Sequence, residues 1–247
     1  MKSMRLVIEG FVVLISILLA FYLEGWRHDQ ELDQEVTQEL YSVKQELEKN
    51  KSQLEAEIFT LGRIITASNH LLNILKNDMD SDNSMVPDSM IWLSNTFSPT
   101  FDPSLGAIEA LIVSGQLSRI KNSELRLGLA GLKDKFKDAL EEELVARELT
   151  INHQFPLIKN HLDMSKIFPI GMEVFTRDKT GFTMQERTKN QSLPTFGKVS
   201  YPNNLALRNV IGLKNTWLST GKEEFTRILS HLNDLILLVE KEISGKN

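Results

Sequence analysis

Glu9 is the residue whose type and position point most directly to chemistry, because it lies inside an apolar run near the N-terminus. That run, Leu6–Leu23, is interrupted only by Glu9 and Ser16. An ionisable side chain within a membrane span is costly and often functional, so one hypothesis is that Glu9 couples proton movement. The favoured interpretation is structural. Glu9 lies about one turn from the start of the run, where it reaches headgroups or pairs with Lys2 or Arg5 and suits the helix dipole.

Other candidates for chemistry are few. Glu141, Glu142 and Glu143 are consecutive, and consecutive helical side chains point in different directions, which predicts a solvated face rather than a cation site. The five histidines are scattered, and neither a phosphate-binding loop nor a zincin motif is present. The chain has no cysteine, which excludes disulfides and thiolate sites. We therefore expect a non-enzymatic protein with no catalytic residue, metal ligand or cofactor.

The apolar run predicts a transmembrane anchor over residues 6–26. It is near the lower limit of the about 20 helical residues that cross a hydrocarbon core of about 30 Å. Tyr22, Trp26 and Arg27 follow as juxtamembrane residues typical of the interface. A cleavable signal peptide would need small residues at the exit, whereas bulky Phe21 and Tyr22 follow Ala20.

The charges that flank the anchor predict its orientation. Lys2 and Arg5 precede it, whereas residues 24–43 carry Arg27 among several acids. The positive-inside rule then gives a cytoplasmic N-terminal flank at residues 1–5 and an extracytoplasmic body at 27–247. We expect a single-pass protein of the bacterial inner membrane with most of its mass in the periplasm. The net charge of −5 argues against nucleic-acid binding.

Three long segments of the body have the three-to-four residue apolar spacing of amphipathic helices. Their first and last apolar residues are Leu32 and Leu75, Leu125 and Phe155, and Leu218 and Val239. No such helix buries its apolar face alone, so we expect an all-α fold. This fold would be an elongated antiparallel bundle with coiled-coil-like seams. Residues 163–204, rich in proline and glycine, predict an irregular insertion.

Local signals predict helix caps. Asp102 followed by Pro103 is typical of an N-cap and first helical residue. Gly115 after Ser114 indicates a left-handed helix end, and Asn122 or Ser123 would cap the next helix.

Three aromatic residues lie in a proline-punctuated segment. Trp92, Phe97 and Phe101 would form an interaction surface or line a cleft, or else close the end of the bundle as core residues. Core packing is favoured because aromatic side chains dominate buried area.

Two groups of short motifs carry a family resemblance. The first runs from Ile8–Gly10 to Ala20–Phe21 and Trp26–Arg27. The second comprises Ala107–Leu111, Ser114–Leu117, Ile120–Asn122 and Glu124–Arg126. Together they resemble a family of uncharacterised bacterial single-span membrane proteins. That resemblance implies a membrane anchor followed by a helical layout, and it brings no established activity and no catalytic residue.

These patterns lead to a hypothesis for function. The chain would be a membrane-anchored scaffold or interaction module whose partners are the lipid bilayer, a second copy, or another membrane or periplasmic protein. One alternative is a ligand-sensing extracytoplasmic bundle that signals through a partner chain, because only residues 1–5 precede the anchor. The other is a proton-coupled membrane subunit that uses Glu9.

Overall fold

The computed structural model describes residues 2–96, 100–167 and 197–245, with side chains described from Gly10 onward apart from Thr96. Within these ranges the protein is helical except for one two-stranded sheet, so the predicted all-α class is confirmed. Most of the insertion predicted at residues 163–204 lies outside the described residues.

The described helices are α1 (Lys2–Asn77), α2 (Asp88–Ile91), α3 (Gly106–Val113), α4 (Ser123–Ala130), α5 (Leu132–Glu148), α6 (Phe155–Ile158) and α7 (Leu205–Ser244). Two π-helical turns, Trp92–Thr96 and Leu149–Gln154, follow α2 and α5, and a 3₁₀ turn spans Gln116–Arg119. Strands β1 (Asn83–Pro87) and β2 (Lys198–Pro202) pair antiparallel, with Val86 opposite Val199.

The helix α1 combines an exposed apolar beginning with a buried continuation. Its large apolar residues from Phe11 to Trp26 are exposed, whereas Val36 and Leu40 are fully buried. In the described part of the chain, α1 is the one helix long and apolar enough to cross a membrane. The absence of proline from this long stretch lets the helix continue without interruption from the apolar run into the folded body.

The chain forms two compact units. Unit 1 comprises Met1–Glu48, Leu105–Gly131 and Asp234–Asn247, and unit 2 comprises Lys49–Ser104 and Leu132–Asn233. The sequence predicts one bundle over residues 27–247. The sequence gives no sign of a boundary between the two units. The apolar faces of α1 and α7 are continuous along each helix, and each helix contributes a segment to both units.

In unit 1, a distant carboxylate occupies the start of α3. Oε2 of Glu46 accepts hydrogen bonds from the backbone N–H groups of Ala107 and Ile108, both at 3.1 Å. A negative charge there satisfies N–H groups that lack a partner in the helix and suits its dipole. Because α3 begins at Gly106, Asp102 and Pro103 precede it in irregular chain, and the predicted N-cap at Asp102 is wrong.

The turn between α3 and α4 is also held by hydrogen bonds. Gly115 has φ +76°, a left-handed conformation that costs a side-chain-bearing residue free energy. The Asn122 side chain accepts a hydrogen bond from the N–H of Leu125 at 3.1 Å and thereby caps α4. Glu242 accepts from the N–H of Lys121 at 2.7 Å.

In unit 2, three phenylalanine rings meet within the buried core. The ring of Phe101 meets those of Phe136 and Phe225 edge-on, with centroids 5.4 and 5.7 Å apart. Trp92 and Phe101 are each 5% exposed, so the favoured core packing is confirmed for both residues and the alternative of an interaction surface is wrong for them. The third predicted member, Phe97, lies outside the described residues.

The predicted seam of α7 is buried, from Leu218 to Val239. On α5 and the π-helical turn after it, however, the predicted apolar residues Leu144 and Ile151 are 63% and 52% exposed. Polar side chains are buried there instead, namely Glu143, Thr150 and Gln154. The interior of unit 2 is therefore more polar than its apolar periodicity indicates.

Candidate functional site

The apolar end of α1 is open to its surroundings. Tyr22 and Trp26 are 71% and 58% exposed, as residues at a bilayer interface need to be. Arg27 pairs with Glu24 at 2.7 Å and with Glu31 at 3.3 Å. The backbone of Glu9 is helical, but its side chain lies outside the described residues, so its role stays a prediction.

Unit 2 contains a buried polar centre made of Ser94, Asn95, Gln154, Tyr201 and Lys214. All five residues are at most 1% exposed. The phenolic hydroxyl of Tyr201 donates to Oδ1 of Asn95, and the same oxygen accepts from Nε2 of Gln154. The ammonium group of Lys214 donates to Oε1 of Gln154 at 2.9 Å and to the carbonyl oxygen of Ser94.

Two unusual backbone segments position this centre. Asn95 lies in the π-helical turn after α2, and Gln154 lies in the π-helical turn after α5. Such turns are rare and often occur at functional sites, because the extra residue reorients the side chains around it. Tyr201 comes from β2 and Lys214 from α7, so the centre joins four elements of unit 2.

The electrostatics of the centre are those of an uncompensated buried amine. Burial lowers the pKa of Lys214 to about 7, because removal from water penalises the charged form. Its ammonium group donates to two oxygens, and both of these oxygens are neutral. Burial also raises the pKa of Tyr201, because removal from water penalises the charged phenolate. At neutral pH the centre therefore holds an amine that can gain or lose its proton.

Sequence reasoning missed this centre, although a signal was present. Lys214 stands among Leu207, Ile211 and Leu218 at the spacing of one helical face. Those three apolar residues are buried. A lysine on the same helical face is expected to be buried with them, which is rare for a charged side chain. The π-helical turns could not have been read from periodicity, because they break the regular spacing on which it depends.

A second buried feature of unit 2 is the acid pair Glu57 and Glu143. Burial and the charge of Glu143 raise the pKa of Glu57 to about 8. Burial raises the pKa of Glu143 to about 7, partly opposed by the N–H of Phe101, which donates to its Oε2 at 3.3 Å. Oε1 of each glutamate is buried and lacks a hydrogen-bond partner among the described residues. Both groups can therefore hold a proton at neutral pH.

This pair corrects one sequence prediction. Glu143 is 6% exposed, so a solvated face is wrong for that residue, although Glu141 is exposed and the three consecutive acids do not converge. Its burial follows from its place on α5 three residues before buried Ala146. No group of three or more histidine, aspartate or glutamate side chains in the described ranges could hold a metal ion.

A third feature of unit 2 is an open groove with a volume of about 820 Å³. One wall is formed by successive turns of α1, including Phe59, Arg63 and His70. Met90 and Leu93 line it from α2 and the π-helical turn that follows, and Lys222 lines it from α7. The volume lies within the range of about 300–1,000 Å³ typical of small-molecule sites. The residues of the buried polar centre do not line this groove, so the two are distinct.

The chain matches no protein-family model, no curated protein and no solved structure. Its resemblance to a family of single-span membrane proteins therefore stays a prediction.

Proposed function

We propose that this protein is a membrane-tethered helical interaction module and not an enzyme. The observation that supports it is the continuity of α1, whose large apolar residues from Phe11 to Trp26 are exposed while Val36 and Leu40 of the same helix are buried. A bilayer would remove the exposed apolar surface from water. The folded units would then be fixed to the membrane through an uninterrupted helix.

The proposed location is the bacterial inner membrane, with the N-terminus cytoplasmic and the folded body in the periplasm. Lys2 and Arg5 before the apolar run, against the acidic residues after it, support this orientation. A C-terminal reporter that is active only outside the cytoplasm should give a signal. A reporter that is active only in the cytoplasm would contradict the proposed orientation if it gave one.

Membrane tethering is tested by placing charges in the exposed apolar segment. The double variant Ile15→Lys/Leu18→Lys should move the protein from the membrane fraction to the soluble fraction, because each lysine at a span centre costs about 2.5–3.5 kcal/mol. Leu127→Lys is the matched control, since Leu127 is apolar, 76% exposed and outside this segment. Release of the unaltered protein by alkaline carbonate would contradict tethering.

The proposed partners are a second copy of the chain or another membrane or periplasmic protein. The exposed apolar surface of α1 supports contacts within the bilayer. Crosslinking in native membranes should trap one of these partners, and trapping of neither would contradict an interaction role. Glu9→Gln tests the proton-coupling alternative, because unchanged oligomeric state and growth would remove both coupling and helix pairing through Glu9.

A second candidate function is ligand sensing, and the groove of unit 2 favours it. A sensor of this kind would bind its ligand in the groove and transmit the event through a partner chain. A bound ligand should raise the melting temperature of the full chain by mass action. Binding that leaves crosslinking to every partner unchanged would contradict sensing.

A further inference from the structure

The groove of unit 2 has an apolar lining and two cations. Arg63 is half-buried on α1, with its guanidinium carbon 5.9 Å from the ring centroid of Phe59. Lys222 reaches the groove from α7. A Cβ at position 62 would lie 3.3 Å from Nζ of Lys222, so Gly62 leaves room for that ammonium group against α1. Both cations therefore lie beside the same turn of α1.

Neither cation has a carboxylate partner among the described residues. Burial alone lowers the pKa of Arg63, with no contribution from an acid. The salt bridges of the described residues join neither Arg63 nor Lys222 to a carboxylate. A half-buried guanidinium that lines an apolar groove and has no carboxylate partner is available to an anion supplied by a ligand.

The charges of the groove indicate the type of anion. Arg63 and Lys222 are cationic and Glu55 at the groove is anionic, which leaves a single net positive charge when His70 is set aside. A monoanion would neutralise that charge. Apolar contacts from Ile58, Met90 and Leu93 favour a hydrocarbon next to the anionic head.

We propose that this groove binds a long-chain fatty acid, with its carboxylate at Arg63 and Lys222 and its acyl chain along the apolar residues. This proposal deepens the ligand-sensing candidate and rests on it. The guanidinium fork matches a carboxylate in two parallel hydrogen bonds, and the apolar lining removes the chain from water.

The test uses the full chain in phosphatidylcholine nanodiscs and a photoreactive palmitate as the probe. Labelled peptides should map to the α1 and α7 segments that line the groove. Unlabelled palmitate should compete at least tenfold better than hexadecanol, which has the chain without the charge. Arg63→Gln should weaken labelling about tenfold or more, whereas Arg147→Gln, an exposed arginine on α5, should leave it unchanged.

Several outcomes would overturn the proposal. These are labelling confined to the exposed apolar segment of α1, equal competition by hexadecanol, and equal labelling of the Arg63→Gln and Arg147→Gln variants. Competition by phosphatidylglycerol vesicles as strong as that by palmitate would assign the site to a lipid headgroup instead. Should Arg63→Gln fail to fold, Lys222→Gln makes the same test from α7. Specific labelling by palmitate that leaves crosslinking to every partner unchanged would contradict ligand sensing but not fatty-acid binding, so the two proposals fail separately.

Discussion

Nζ of Lys214 lies 2.9 Å from Oε1 of Gln154, in a site where the lysine is 1% exposed and the glutamine is fully buried. The carbonyl of Ser94 is its second acceptor. Neutral oxygens accept hydrogen bonds from the amine but do not balance its charge. At a pH of about 7 the neutral amine is therefore about as stable in this site as the ammonium group. Protonation at this position is linked to the stability of unit 2.

The first prediction concerns the pH dependence that Lys214 confers. Its pKa is about 7 in the folded chain against the ordinary value of 10.5, so the unfolded chain binds more protons between these pH values. The Lys214 contribution to the free energy of unfolding should therefore rise from pH 7 to 10.5. Lys214→Met should remove this rise, and Lys137→Met, at an exposed position, should keep it. Hydrogen exchange of α5 peptides at a series of pH values measures this change in stability within unit 2.

The second prediction concerns the pH dependence of stability that Glu57 confers, which has the opposite sign to that of Lys214. The pKa of Glu57 is about 8 in the folded chain against the ordinary value of 4.5, so between these values the folded chain binds more protons than the unfolded chain. The Glu57 contribution to stability is therefore present below pH 4.5 and lost as pH rises towards 8. Glu57→Gln mimics the protonated form, and it should flatten this fall in hydrogen-exchange protection. Glu55→Gln, at an exposed position of α1, is the control, and an equal flattening there would contradict the assignment.

The third prediction concerns Glu46 and the start of α3. Glu46→Ala removes the acceptor of the N–H groups of Ala107 and Ile108 and should cost unit 1 about 1–2 kcal/mol. Hydrogen exchange of the first turn of α3 should become faster. Glu48→Ala is the control, because Glu48 is exposed and its ion pair with Lys44 is 3.7 Å long. This variant should leave the exchange of α3 nearly unchanged. Unchanged exchange in Glu46→Ala would show that the helix start needs no carboxylate.

The fourth prediction concerns Gly115. Its φ of +76° is unfavourable for a β-branched side chain, so Gly115→Val should destabilise unit 1 by about 1 kcal/mol or more. Gly115→Asn should cost less, because asparagine tolerates the left-handed region. Thermal unfolding of both variants in the same detergent measures the difference. Equal melting temperatures for valine, asparagine and glycine would contradict a left-handed residue at this position.

Features encoded within one or two helical turns could be predicted from the sequence. Neighbouring residues alone determine the apolar run near the N-terminus, the seam from Leu218 to Val239 and the turn and cap at Gly115 and Asn122. Both α1 and α7 are helical as expected. Asn50 interrupts the apolar seam of α1. Its side chain is nevertheless fully buried and makes two hydrogen bonds with the backbone of Ser104. Helical periodicity could not predict this contact, because Ser104 is distant from Asn50 in the chain.

The sequence by itself thus determined the helical class, the apolar segment and the local turn at Gly115, because spacing and backbone preference act over a few residues. The tertiary structure alone decided that Glu46 would start α3, that Glu143 would be buried beside Glu57 and that Lys214 would meet Gln154. Each of these contacts joins residues that are far apart in the chain. Whether a polar side chain is solvated or buried depends on which distant element packs against it, and helical periodicity carries no information about that element.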